Sequence, residues 1–103
     1  MAYAIERGAK RIAFPCEVEC TGAGEGPLNP RISDLSATGA FIDSMNAVPA
    51  GSCLSLKFAL PTGTITVNAE VVHAMPHFGM GVRFLDLTDE QRRAIERVVA
   101  EAS

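Results

Sequence analysis

At 103 residues the chain has room for one domain with its own core and little for a second. Apolar residues make up 48% of it and charged residues 20%, which excludes a disordered chain. A net charge of −3 argues against a bulk binder of nucleic acid or of an anionic membrane. The charge is uneven, however: Arg7, Lys10 and Arg11 against Glu6 leave +2 in the first eleven residues, so the remainder carries −5. A short basic arm on an acidic body suits a small anionic ligand better than a polymer. No apolar run approaches the ~18 residues that span a bilayer, so membrane insertion is not expected. The N-terminus shows no apolar signal region, which points to a cytoplasmic protein. Three cysteines are an odd number for a disulfide framework. Cys16 and Cys20 would lie roughly 13 Å apart on one strand at ~3.3 Å per residue, beyond the ~7 Å that a disulfide tolerates between Cα atoms. All three are expected to be buried, reduced thiols.

Along the chain, period-2 alternation dominates. Ile12, Phe14, Cys16, Val18 and Cys20 mark one face of a half-buried first strand. The Gly- and Pro-rich stretch Thr21 to Pro30 is a loop. Arg31 to Leu35 reads as a second strand, Ser36 to Gly39 as a tight turn, and Ala40 to Asp43 as a third strand. After a connection from Met45 to Gly51, Leu54, Leu56, Phe58 and Leu60 alternate in a fourth. Pro61-Thr62-Gly63 is a hairpin signal into a fifth strand with Ile65, Val67, Ala69 and Val71. A sixth carries Phe78, Met80, Val82 and Phe84.

The period then changes. Thr88 and Gln91 form a capping-box pattern, and Asp89 and Glu90 suit a helix N-terminus. Leu87, Ala94, Ile95, Val98, Val99 and Ala102 recur at helical spacing, with Arg92, Arg93, Glu96, Arg97 and Glu101 on the other face. The expected fold is mainly β: a small six-stranded antiparallel barrel that a C-terminal amphipathic helix plugs or covers. Residues 1–103 form a single domain, with a basic arm over 1–11, the barrel over 12–86 and the helix over 88–102.

Two short clusters stand outside this patterning. Arg7-Gly8-Ala9-Lys10-Arg11 precedes the first strand, and Asp34-Leu35-Ser36-Ala37-Thr38-Gly39 makes the turn between the second and third. Singly, each has a bland reading: a solvated basic terminus, and a turn in which Asp and Ser bond nearby backbone while Gly takes a positive φ. Together, in this order and within a small barrel, they resemble the PilZ family, whose hallmark is Arg-x-x-x-Arg followed by Asp/Asn-x-Ser-x-x-Gly. Gly79-Met80-Gly81-Val82-Arg83-Phe84 and the Leu87 to Gln91 helix start also sit where such domains carry similar sequence.

The resemblance implies a receptor for the second messenger cyclic di-GMP, with ligand-binding residues Arg7, Arg11, Asp34, Ser36 and Gly39. A guanidinium can make two parallel hydrogen bonds to guanine O6 and N7, stack on a base, or pair with phosphate, which suits Arg7 and Arg11. An ionised Asp34 can accept from the guanine N1–H and N2–H₂ groups, which adenine lacks. Ser36 can bond phosphate or base, and Gly39 permits a tight turn and close approach. Lys10 offers a phosphate contact, although a solvated side chain is the plainer reading. Phe78 offers a stacking ring, although its phase with Met80 and Val82 places it in the core. Gly8 and Ala9 suggest an arm that is mobile until ligand arrives. The arm would then order against the barrel and present a new surface to an unidentified downstream protein, with motility, biofilm or exopolysaccharide output.

The remaining signals are weaker. His73 and His77 are separated by Pro76 and lack a third metal ligand, so no metal or other cofactor is expected. Ser36 has no nucleophile-elbow context, and Gly22 to Gly26 are not followed by the Lys-Ser/Thr of a phosphate loop, so no enzyme is expected. The rival reading is a nucleotide-independent PilZ-like adaptor, against which the intact motifs count. A single-stranded nucleic-acid barrel would need a basic groove interleaved with aromatics, which this composition does not offer.

Overall fold

The computed structural model describes residues 10–22, 30–45 and 48–102. Of the expected arm, Lys10 and Arg11 are thereby placed, while Arg7 lies outside the described residues. Six strands follow in order: β1 (Arg11–Thr21), β2 (Arg31–Ser36), β3 (Gly39–Asp43), β4 (Cys53–Leu60), β5 (Gly63–Met75) and β6 (Gly79–Leu85). Among the described residues one helix follows, α1 (Asp89–Glu101). All pairings are antiparallel, and the strands close in the order β1-β2-β3-β6-β5-β4.

Closure depends on β1 serving two neighbours. Its first half, Arg11 to Glu17, pairs with β2 across an irregularity between Ala13 and Cys16. Its second half, Val18 to Thr21, pairs with β4. Pro15 sits at that irregularity, where a strand tolerates a residue with no N–H to donate.

The alternation read from the sequence defines the interior. Leu54, Leu56, Phe58 and Leu60 on β4 face Val67, Ala69 and Val71 on β5, and Ile32, Leu35, Ile42 and Met80 are fully enclosed. The helix covers this core. Ile95, Val98 and Val99 are buried on its inner face, and α1 packs on β2 and β4. Its start is fixed by the expected capping box: Gln91 N–H donates to Thr88 Oγ1 at 3.0 Å, and Thr88 N–H donates to Gln91 Oε1 at 3.2 Å. The Gln91 amide also donates to the Thr66 carbonyl at 2.8 Å, which ties the cap to β5.

Several boundaries differ from the sequence reading. Arg11 belongs to the barrel rather than to an arm, because its backbone lies in register with Ser36. The fifth strand runs on to Met75, and an irregularity between Val71 and His73 turns His73 outward. Phe78 is not in the core: it is 69% exposed, in the turn before β6. That turn has His77 at φ 69° and Gly79 at φ 154°, and a Cβ on Gly79 would run into the Ile42 carbonyl oxygen. The twist throws Phe78 out of phase with Met80, so the period-2 count across it fails. Ala102 is an exposed C-cap and not part of the inner face. Cysteine burial is also less complete than expected: Cys16 and Cys20 are half-buried and Cys53 is exposed, all three as free thiols. Among the described residues no helix is long and apolar enough to cross a membrane, and no His, Cys, Asp and Glu cluster could hold a metal ion.

Candidate functional site

The second cluster forms the β2–β3 turn, and the turn is built from within. Ser36 is fully buried, and its hydroxyl sits at the centre of the turn. It accepts from Gly39 N–H at 3.1 Å and from Thr38 N–H at 3.3 Å, and it donates to the Gly39 carbonyl at 3.2 Å. A second strap comes from outside the turn, where Phe84 N–H donates to the Thr38 carbonyl at 2.8 Å. The loop is therefore clamped between its own serine and β6. With its hydroxyl so engaged, Ser36 shapes the turn and presents no exposed oxygen to a ligand in this conformation.

Gly39 is required for a reason other than turn dihedrals. Its φ is not in the left-handed region, unlike that of Gly79. A Cβ at position 39 would instead run into the Val82 carbonyl oxygen, because β3 and β6 approach closely where Gly39 faces Arg83.

Asp34 and Arg11 come together on the outer face beside this turn. Ile12 and Leu35 point inward, which turns Arg11, Ala13 and Asp34 outward. Arg11 Nη2 donates to Asp34 Oδ1 at 2.6 Å, with the two side chains 25% and 33% exposed. Residues separated by 23 positions in sequence thus form a partly shielded, charge-assisted pair. Lys10 is exposed, one residue before β1.

Phe78 lies elsewhere. On the β3–β6 ladder, Gly39 faces Arg83 at one end and Asp43 faces Gly79 at the other, and Ser44 N–H bonds the Phe78 carbonyl there. Four residues of strand, roughly 13 Å, separate Phe78 from the turn. The aromatic ring beside the turn is Phe41, which stands directly opposite Asp34 on one side and Gly81 on the other. Counting two residues on from Gly39 along an outward-facing strand would have found it. Two clefts lie away from the motif residues. One, of about 1120 Å³, runs between α1 and the β4–β5 hairpin, and the other, of about 650 Å³, lies on the outer face of β1 and β4.

Burial pushes Cys20 up to about 11 from an ordinary 9.0. Cys16 is raised too, chiefly by burial, with Arg31 opposing and Glu17 adding to the shift.

The comparison with known families now decides the identity of the fold. The model of the PilZ domain matches residues 6–101. The chain belongs to the PilZ family. Solved PilZ structures share its fold: the PilZ domain with c-di-GMP of YcgR from Escherichia coli is 17% identical, with a TM-score of 0.73 over 91% of this chain and 88% of that one. The PilZ domain of CeSA from a cellulose-synthesising bacterium is 21% identical, with a TM-score of 0.66 over 89% and 96%. The inhibitor of motility MotI/DgrA of Bacillus subtilis is 15% identical, with a TM-score of 0.69 over 90% of this chain and 48% of its own length. No curated protein sequence matches significantly.

Proposed function

We propose that this PilZ domain is a cyclic di-GMP receptor, and that it reads the messenger without transforming it. The observation that supports this most directly is the pairing of Arg11 with Asp34 beside the clamped Ser36–Gly39 turn. An arginine fork and a carboxylate on one open face are the two groups that the edges of a guanine require: acceptors O6 and N7 for the first, donors N1–H and N2–H₂ for the second. Recognition of one base between them requires the pair to open. Phe41 adds a ring against which a base can rest. Arg7, four residues before Arg11, supplies a second guanidinium from the arm. The chain closes over the bound ligand, and that closure is the signal to a downstream protein in the cytoplasm. Control of motility, biofilm or exopolysaccharide is the output we assign.

A second reading has one observation in its favour. Asp34 already pairs with Arg11, an arrangement that needs no nucleotide and would serve a ligand-independent adaptor equally well. Calorimetric titration with cyclic di-GMP, with cyclic di-AMP and GTP as controls, separates the two. Saturable binding at micromolar or lower concentration, selective for cyclic di-GMP, supports the receptor. No heat well above micromolar leaves the adaptor.

A further inference from the structure

The β2–β3 turn has an arginine on each side. On one side β1 places Arg11 opposite Ser36; on the other, β6 places Arg83 opposite Gly39. Each is held by a carboxylate on a neighbouring strand. Arg83 donates from Nε and Nη2 to Glu70 Oε1 at 3.0 and 2.7 Å, and Glu70 stands directly across from it on β5. Val82 and Phe84 point into the core, so Arg83 projects from the outer face, with its side chain 52% exposed. Position 39 cannot carry a Cβ, so the residue opposite Arg83 places no side chain beside it. One step along the same face, Gly81 leaves the backbone bare beside Phe41. The strap from Phe84 N–H to the Thr38 carbonyl fixes β6 against the turn, so the placement of Arg83 is set by backbone and not by a mobile loop.

Resting on the receptor reading above, we propose that Arg83 is a further binding residue, which takes the O6/N7 edge of the second guanine of a cyclic dinucleotide. Glu70 is the positioning residue that holds its fork. Three strand intervals separate Arg11 from Arg83, roughly 14 Å along the sheet, a gap suited to two bases of one ligand and not to one base. The choice of a base edge over phosphate follows from charge. A carboxylate within 3 Å neutralises the guanidinium and would repel a phosphate, whereas neutral acceptors such as O6 and N7 are indifferent to it. The guanidinium donors not used by Glu70 remain for the base. An ion pair this exposed adds little to folding, so Arg83 can be altered without losing the barrel.

The test is calorimetry with cyclic di-GMP and cyclic di-AMP on the full chain, wild type beside Arg83→Ala, Arg83→Lys and Glu70→Gln. The expected result is a 5- to 150-fold weaker affinity for cyclic di-GMP in Arg83→Ala. Arg83→Lys should be nearly as weak, because lysine has the charge but not the fork. Glu70→Gln should lose less, and melting temperatures should stay within a few degrees of wild type. Affinity of Arg83→Ala within twofold of a wild type that itself binds would overturn this inference and leave the receptor reading standing. Full rescue by Arg83→Lys would overturn the guanine-edge assignment. Absence of wild-type binding would overturn both.

Discussion

Asp34 and Lys10 carry the polarity of the site. Asp34 is paired with Arg11 and, in the proposed complex, meets the groups that distinguish guanine from adenine, whereas Lys10 is an exposed point charge. Asp34→Ala should therefore reduce the preference for cyclic di-GMP over cyclic di-AMP in competition binding, and Lys10→Ala should weaken both about equally. Gly39 is under a different constraint. Gly39→Ala forces β3 from β6 against backbone, an overpacking worth about 1–3 kcal/mol. For a domain of this size that is a fall of roughly 4–8 °C in melting temperature per kcal/mol, which calorimetric unfolding will read. The need for glycine at 39 was legible from its motif, but the reason was not. Turn chemistry suggested a positive φ, whereas the actual obstacle is a carbonyl 43 residues further on, on β6. Cys20 makes a third residue-scale prediction. Its thiol is neutral and shielded in the fold and titrates at an ordinary 9.0 when unfolded. Its contribution to stability is present below pH 9 and is lost as pH rises toward 11. Denaturation midpoints should fall across that window, and less steeply in Cys20→Ala.

Among the elements, the helix was the most legible. Thr88 and Gln91 announce its start, and an apolar stripe at helical spacing gives its inner face. Both are realised because local hydrogen bonds and core burial agree. Thr88→Ala removes the cap and should cost about 1 kcal/mol in chemical denaturation. The additional bond from Gln91 to the Thr66 carbonyl means that the loss should be felt at the β4–β5 hairpin as well, as faster amide exchange there. The β5–β6 hairpin was the least legible element. Its strands read from Ile65 through Val71 and from Phe78 onward, but β5 runs on to Met75 and a turn with His77 and Gly79 at positive φ delays β6 to Gly79. The left-handed turn puts Phe78 outside the period of the strand that follows it. That is why Phe78 looked like core and is exposed, while Met80, Val82 and Phe84 keep their inward phase.

At the scale of the whole molecule, closure of the barrel does the work that local sequence cannot display. Arg11 and Asp34 are far apart in the chain and meet only because β1 pairs with β2 in one register, while Arg83 reaches the same turn only because β6 lies beside β3 and not beside β2. Strand content and the motif were visible from periodicity and turn residues. Strand order was not, since antiparallel pairing of non-adjacent segments leaves no short-range mark.

The most direct test is an amide chemical-shift titration of the ¹⁵N-labelled chain with cyclic di-GMP. The account predicts saturable shifts at Lys10–Arg11, along Asp34 to Gly39, at Phe41 and at Arg83, with Phe78 and the groove between α1 and the β4–β5 hairpin unmoved. Shifts confined to that groove, or none at millimolar ligand, would contradict it.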